Sequence, residues 1–190
     1  MQTLMRPEPI KPYKRLYSLE EFFAMSEAGL FKNQRVELIA GEVIVVPAQG
    51  PKHSGAIAAL NEIFRDSFKE KAVVWVQLPI IFESPLRDYV EPDLALLALP
   101  LEQYRQRFAQ PQDTFLVVEV SVSSLVEDRT EKLKMYASHG IPEYWILNVE
   151  KNVLEVYRNP QNGKFETMLE FAVGQLVAPL EFPSIEIRWW

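Results

Sequence analysis

Glu119 is a carboxylate in the middle of an apolar run. Residues 114–122 read TFLVVEVSV, a pattern that predicts a strand covered on both faces. A carboxylate buried there without a partner costs several kcal/mol, so such a group is paired, protonated or bound to a metal. Two further acids stand inside strand-like runs. Asp93 follows Pro92 and opens the apolar run 93–97, and Glu37 lies between Val36 and Leu38. If 93–97 and 114–122 are neighbouring strands, Asp93 and Glu119 converge on one divalent ion. Hard oxygen donors on adjacent strands suit Mg²⁺ or Mn²⁺, with water and a substrate phosphate filling the other positions. Each acid also has a plainer reading. Asp93 suits a turn cap, Glu37 suits the wet face of a hairpin, and Glu83, Asp88 and Glu91 read as solvated loop acids.

The composition narrows the chemistry. The chain has 190 residues, no cysteine and two histidines, His53 and His139. A thiolate zinc site and a disulfide framework are excluded, and a metal must rest mainly on carboxylate oxygen. Apolar residues make up 48% and charged residues 24%, as in an ordinary globular domain. The formal net charge of −6 weighs against broad nucleic-acid binding while leaving room for a local basic groove. Residues 1–17, with Pro7, Pro9 and Pro12, read as an extended arm without the apolar core of a signal peptide. The longest apolar run, LALLALPL from Leu94, is too short to span a bilayer. A cytoplasmic protein is expected, with no membrane partner.

The elements that must position these residues follow from periodicity and punctuation. Ser18 and Glu21 have capping-box spacing before a short helix that ends near Gly29. Residues 35–47 read as a hairpin turning at Ala40-Gly41. Ile57, Leu60, Ile63, Phe64 and Phe68 define a long helix over 53–70. Short strands follow at 72–77 and 79–83, then a loop SPLRDYVEP, the strand 93–97 and a helix over 101–108. After 114–122 comes a helix over 128–138, capped by Gly140, and strands at 144–149, 153–158 and 164–171. The tail 185–189 alternates and reads as an edge. Residues 18–190 thus form one α/β domain around a mixed central β-sheet flanked by helices.

The blocks in this order resemble a known family. Pro92-Asp93 followed by Glu119 resembles the PD-(D/E)XK nuclease pattern. The segments 35–42, His53, 91–94, 118–121, 128–133 with Tyr136-Ala137, and 140–145 together resemble the Uma family of restriction-endonuclease-like proteins. The resemblance extends from about Glu37 to Arg158. It implies a restriction-endonuclease-like core, a Mg²⁺-dependent (or Mn²⁺-dependent) deoxyribonuclease, and metal-site roles for Asp93 and Glu119, with Glu37 assisting directly or through water. The position where the strand lysine of the motif stands is Ser121, whose hydroxyl offers no fixed positive charge. Lys132, four residues after Asp128, takes that role from the following helix, and the family carries its lysine in the matching D-R-x-x-K segment. Lys134 lacks both features. Ala40 and Asn148 stand where aspartates are common in the family. His53, Ser121 and Arg129 are candidate substrate-binding residues. DNA is the expected substrate. Aromatic residues at the C-terminus, Trp189 and Trp190, read as exposed and hint at a homodimer edge. A non-catalytic nuclease-fold protein that binds nucleic acid or a protein partner, and a small-phosphate hydrolase, are the alternatives.

Overall fold

A computed structural model describes residues 14–83 and 87–189. At its centre lies β7 (Thr114–Ser121), buried along nearly its whole length. It pairs antiparallel with β6 (Leu94–Leu97) on one side and parallel with β8 (Glu143–Asn148) on the other. The parallel pair needs a crossover. A helix in three pieces provides it: α3 (Leu125–Glu127), a π-helical turn (Asp128–Lys132) and α4 (Leu133–Ser138). β3 (Val73–Trp75), β9 (Val153–Gln161) and β10 (Lys164–Ala172) complete a six-stranded mixed sheet in the order β10-β9-β8-β7-β6-β3.

The alternation of β7 decides which way its carboxylate points. Leu116, Val118 and Val120 share a core with Ile57, Leu60, Phe64 and Phe68 of α2 (Pro51–Phe68). Val117 belongs instead to the core on the opposite face, with Met135 and Tyr136 of α4. Period two places Glu119 and Ser121 on the Val117 face, toward α4.

A second sheet covers that face. Its order is β2-β1-β5-β4, built from β1 (Arg35–Ile39), β2 (Glu42–Val46), β4 (Ile80–Phe82) and β5 (Asp88–Val90). Ile80, Phe82 and Val90 pack into the core shared with α4. On its other side, α1 (Leu19–Glu27) lays Leu19 and Phe22 against Leu38 and Ile81. The capping box of α1 forms as expected, with Glu21 N donating to Ser18 Oγ at 3.2 Å and Ser18 N to Glu21 Oε2 at 3.0 Å. Gly140 closes α4 at φ +72°, a left-handed conformation that glycine adopts without strain.

The hairpin 35–47 forms as read, and it is half of a sheet separate from the central one. Several expectations are corrected. The stretch read as a loop before Asp93 contains β5, and Asp88 within it is fully buried. Residues 101–108 hold only a 3₁₀ turn, Leu101–Arg105. β12 (Ile187–Arg188) pairs with β11 (Leu176–Val177) rather than with the central sheet. Trp189, read as exposed, is 2% exposed and sits in the α2 core, so it gives no support to a dimer edge; Trp190 lies outside the described residues, as do residues 1–13 of the arm.

Candidate active site

The antiparallel register sets Leu94 opposite Val118, which brings Asp93, one residue before β6, beside Glu119. Asp93 Oδ2 accepts a hydrogen bond from Val120 N at 2.8 Å, and Oδ1 accepts one from Gln77 Nε2 at 3.3 Å. His53, in the first turn of α2, places Nε2 3.1 Å from Asp93 Oδ2. The two strand carboxylates and the helix start therefore meet at one end of the sheet.

Lys132 arrives from the π-helical turn. Its Nζ donates to Glu119 Oε1 at 2.9 Å and lies 3.6 Å from Glu37 Oε2. Tyr136, four residues on, donates its hydroxyl to the same Glu119 Oε1 at 2.8 Å. Both donors thus hold one oxygen, and among the described residues no hydrogen bond is made to Oε2. π-helical turns occur often at functional sites because the widened turn re-aims the side chains within it. Here the turn carries both Lys132 and Asp128, and Asp128 is buried with Ser124 Oγ donating to it at 2.6 Å.

Glu37 is 3% exposed, which overturns its reading as a wet-face hairpin residue. Its Oε1 accepts from Glu91 N at 2.9 Å, so β1 and the strand-to-strand connection before Asp93 are tied through it. A second tie works from the far end of the helix. Asp88 Oδ1 accepts from Ala40 N in the hairpin turn, and Asp88 Oδ2 meets His139 Nε2 at 2.6 Å. Both side chains are fully buried. The hairpin that carries Glu37 is thereby fastened to the helix that carries Lys132.

Electrostatics follow from this crowding. Burial pushes the Glu119 carboxyl up to about 8; Lys132 opposes the shift, and Asp93, Asp128 and Glu37 add to it. Burial works against the charge of Lys132, yet the surrounding carboxylates outweigh it and raise its pKa. Asp128 is also raised, chiefly by burial. Three buried carboxylates thus act on one lysine, with Asp93 beside Glu119 as a fourth acid, an excess of negative charge that a divalent cation would balance. Among the described residues no three carboxylate or imidazole groups close into a ready cage. The donors instead fit a largely hydrated ion held by two carboxylates, the habit of Mg²⁺.

The raised Glu119 makes a prediction. In the unfolded chain its pKa is near 4.5, and in the folded chain near 8. Below the first value both states hold the proton; between the two, only the folded state does, so raising the pH favours unfolding; above the second the effect is constant. Urea melts in chelator are expected to show wild type losing stability relative to Glu119→Gln as pH rises from about 5 to about 8. A difference that does not vary with pH would show that burial does not disfavour the charge.

A cleft of about 890 Å³ opens over these groups, lined by Glu37, Asp93, Glu119, Asp128, Lys132 and His53 among others. Ser121 and Arg129 are not in its lining. The Ser121 hydroxyl is buried on the Asp128 side of β7. Arg129 turns away to Glu155, donating from Nε at 2.9 Å and from a second nitrogen to the other oxygen. Glu155 is fully buried and also accepts from Tyr157 at 2.8 Å. Arg129→Ala is expected to lower stability by about 2 kcal/mol, because a buried carboxylate loses its cation, less than for a fully buried pair since Arg129 is 38% exposed, and to leave KM for any substrate unchanged. A raised KM at intact stability would return Arg129 to the binding site.

Asp128, Tyr136 and Gln77 join the site although the sequence did not single them out for it. The signals for the first two were their helical spacing around Lys132 and their place in the blocks that carry the family resemblance; Gln77, in an irregular segment, had none.

Comparison with known proteins gives one family and one fold. Residues 19–189 match the family model Uma2, described as "Putative restriction endonuclease". The chain is similar in fold to the crystal structure of a "putative nuclease belonging to DUF820" from Anabaena variabilis ATCC 29413. The TM-score is 0.65 at 20% identity, over 88% of this chain and 91% of that one. No curated protein matches.

Proposed function

The chain belongs to the Uma2 family, and from that premise we propose that it is a Mg²⁺- or Mn²⁺-dependent endonuclease that hydrolyses phosphodiester bonds in DNA. The observation that supports this most is the buried Lys132–Glu119 pair beside Asp93 on the neighbouring strand. A lysine at 16% exposure among three carboxylates is weakly accounted for by stability alone, since apolar replacements of such groups often pack at equal or lower cost.

Asp93 and Glu119 would hold the ion, with Glu37 assisting directly or through water. When bound, such an ion polarises a phosphoryl oxygen and favours ionisation of a water nucleophile. The protein's own groups do the rest. Lys132 offers a fixed positive charge, pre-oriented by Glu119 and Glu37, where negative charge grows on the phosphate. Tyr136 helps fix the rotamer of Glu119 by occupying Oε1, which leaves Oε2 as the oxygen offered to the ion. His53 and Val120 N hold Asp93 in place. The setting is read as cytoplasmic, and no described helix is long and apolar enough to cross a membrane.

Purified protein is expected to nick and linearise supercoiled plasmid with Mg²⁺ or Mn²⁺ and to stop on addition of chelator. No cleavage at millimolar ion would favour the alternative, a nuclease-fold protein that only binds.

A further inference from the structure

The β1–β2 hairpin forms one wall of the cleft, and its register shows what that wall offers. Arg35 lies opposite Val46, Glu37 opposite Ile44, and Ile39 opposite Glu42. Directly opposed residues of an antiparallel pair share a face, with Cβ atoms about 5 Å apart. The face that carries Glu37 therefore also carries Ile39, Ile44 and Val46, and all three line the cleft. Ile44 is 42% exposed although it stands beside a buried site acid. β2 is the end strand of its sheet, and Val45 on its other face is 54% exposed.

Charge supplies the second half. Each lysine or arginine that lines the cleft already meets a carboxylate: Lys14 with Glu42 at 2.8 Å, Arg35 with Glu91 at 2.8 Å, Lys52 with Glu150 at 2.9 Å and Lys132 with Glu119 at 2.9 Å. The chain as a whole carries −6. Duplex DNA presents one phosphate charge per about 1.7 Å of axis and keeps its base faces stacked away, so duplex affinity depends on a track of available cations. Among the described residues this cleft has only two, Lys14 and Lys52, whose pairs are exposed and weak, while Arg35 and Lys132 are held in partly buried pairs; two cations do not make a track. An unpaired strand also offers base faces, so packing against side chains adds to whatever its phosphate contacts supply.

Resting on the nuclease reading above, we infer that the cleft takes single-stranded nucleic acid, with the base beside the reacting phosphate packed on Ile44 and Val46. The apolar wall and the acidic floor then serve two parts of one nucleotide. Glu37 faces the phosphate end, and its cross-strand neighbour Ile44 faces the base.

The test compares a fluorescent single-stranded oligodeoxynucleotide with the same sequence as a duplex. Binding is followed by anisotropy with Ca²⁺ in place of Mg²⁺, and cleavage is followed separately with Mn²⁺. Wild type is expected to bind the single strand at least ~10-fold more tightly than the duplex. Ile44→Ala should weaken single-strand binding about fivefold, the loss of most of an apolar contact, and Ile44→Asp more, with neither changing duplex binding. Both variants should melt with wild type, because Ile44 is already substantially exposed. Equal or tighter duplex binding, binding of neither strand, or unchanged single-strand affinity in both variants would overturn the inference. Single-strand binding without cleavage by Mn²⁺ would overturn the nuclease reading and leave the binding inference standing. Preferential duplex cleavage would do the reverse.

Discussion

Asp93→Asn is expected to cut metal-dependent cleavage on the order of a thousandfold while leaving the protein folded. The carboxylate and the amide are nearly the same shape, so the substitution removes charge more than volume. Asp93 accepts from Val120 N at 2.8 Å and Gln77 Nε2 at 3.3 Å. An asparagine can keep one of these with its carbonyl oxygen and must turn its amide nitrogen toward the other. The stability cost is about 1 kcal/mol, the worth of one such hydrogen bond. Loss of a carboxylate donor, by contrast, halves the proposed strand-borne ligand pair and removes charge from a site in which Glu119 is already pushed up to about 8. Rate measurements in Mn²⁺ beside urea melts separate the two effects. A variant that cuts as fast as wild type would remove Asp93 from the mechanism. One that fails only because it unfolds would make its role structural.

Lys132→Met is expected to damage both activity and fold. The methionine fills much of the lysine's volume but leaves Glu119 and Glu37 buried without a cation. Breaking a buried pair from one side costs about 3–5 kcal/mol, because the abandoned charge stays desolvated. That cost should be smaller at pH 5 than at pH 9, since Glu119 can stay protonated at the lower pH. Combining Lys132→Met with Glu119→Gln should recover part of the stability, as expected for two groups in direct contact, and should recover none of the activity. Lys132→Arg should keep the charge yet lose most of the rate, because a planar guanidinium cannot occupy the place of a compact ammonium. If Lys132→Met kept full stability, the ammonium would be solvated and its contact with Glu119 unimportant. If it kept full activity, Lys134 or another cation would have to serve.

The central strand and its misplaced acid were legible because burial on both faces leaves a continuous apolar run, in which a carboxylate stands out. Asp93 was legible through the same run of its neighbour strand, and Lys132 through its spacing from Asp128 and through the family resemblance. Glu37 was harder. Alternation in β1 shows that two faces differ, but not that a helix covers one face while the other lines the cleft. β5 went unread because three residues, Asp88 to Val90, carry too little pattern. The partner that accounts for the burial of Asp88 is His139, 51 residues away. The π-helical turn was equally hidden, since one widened turn leaves helical spacing nearly unchanged while it re-aims Asp128 and Lys132. Trp189 misled by position. A residue near the end of the sequence looks exposed, whereas the β11–β12 pair folds this one back onto α2.

The reading stands or falls on whether Asp93 and Glu119 together bind a divalent ion, and calorimetric titration with Mn²⁺ addresses this without any substrate. Wild type should bind one ion, with affinity rising as pH increases toward about 8 because Glu119 must release a proton to become a ligand. Asp93→Asn and Glu119→Gln should each abolish that binding, and Arg129→Ala should leave it intact. No binding by wild type at millimolar Mn²⁺, or undiminished binding in both carboxylate variants, would contradict the assignment of this site.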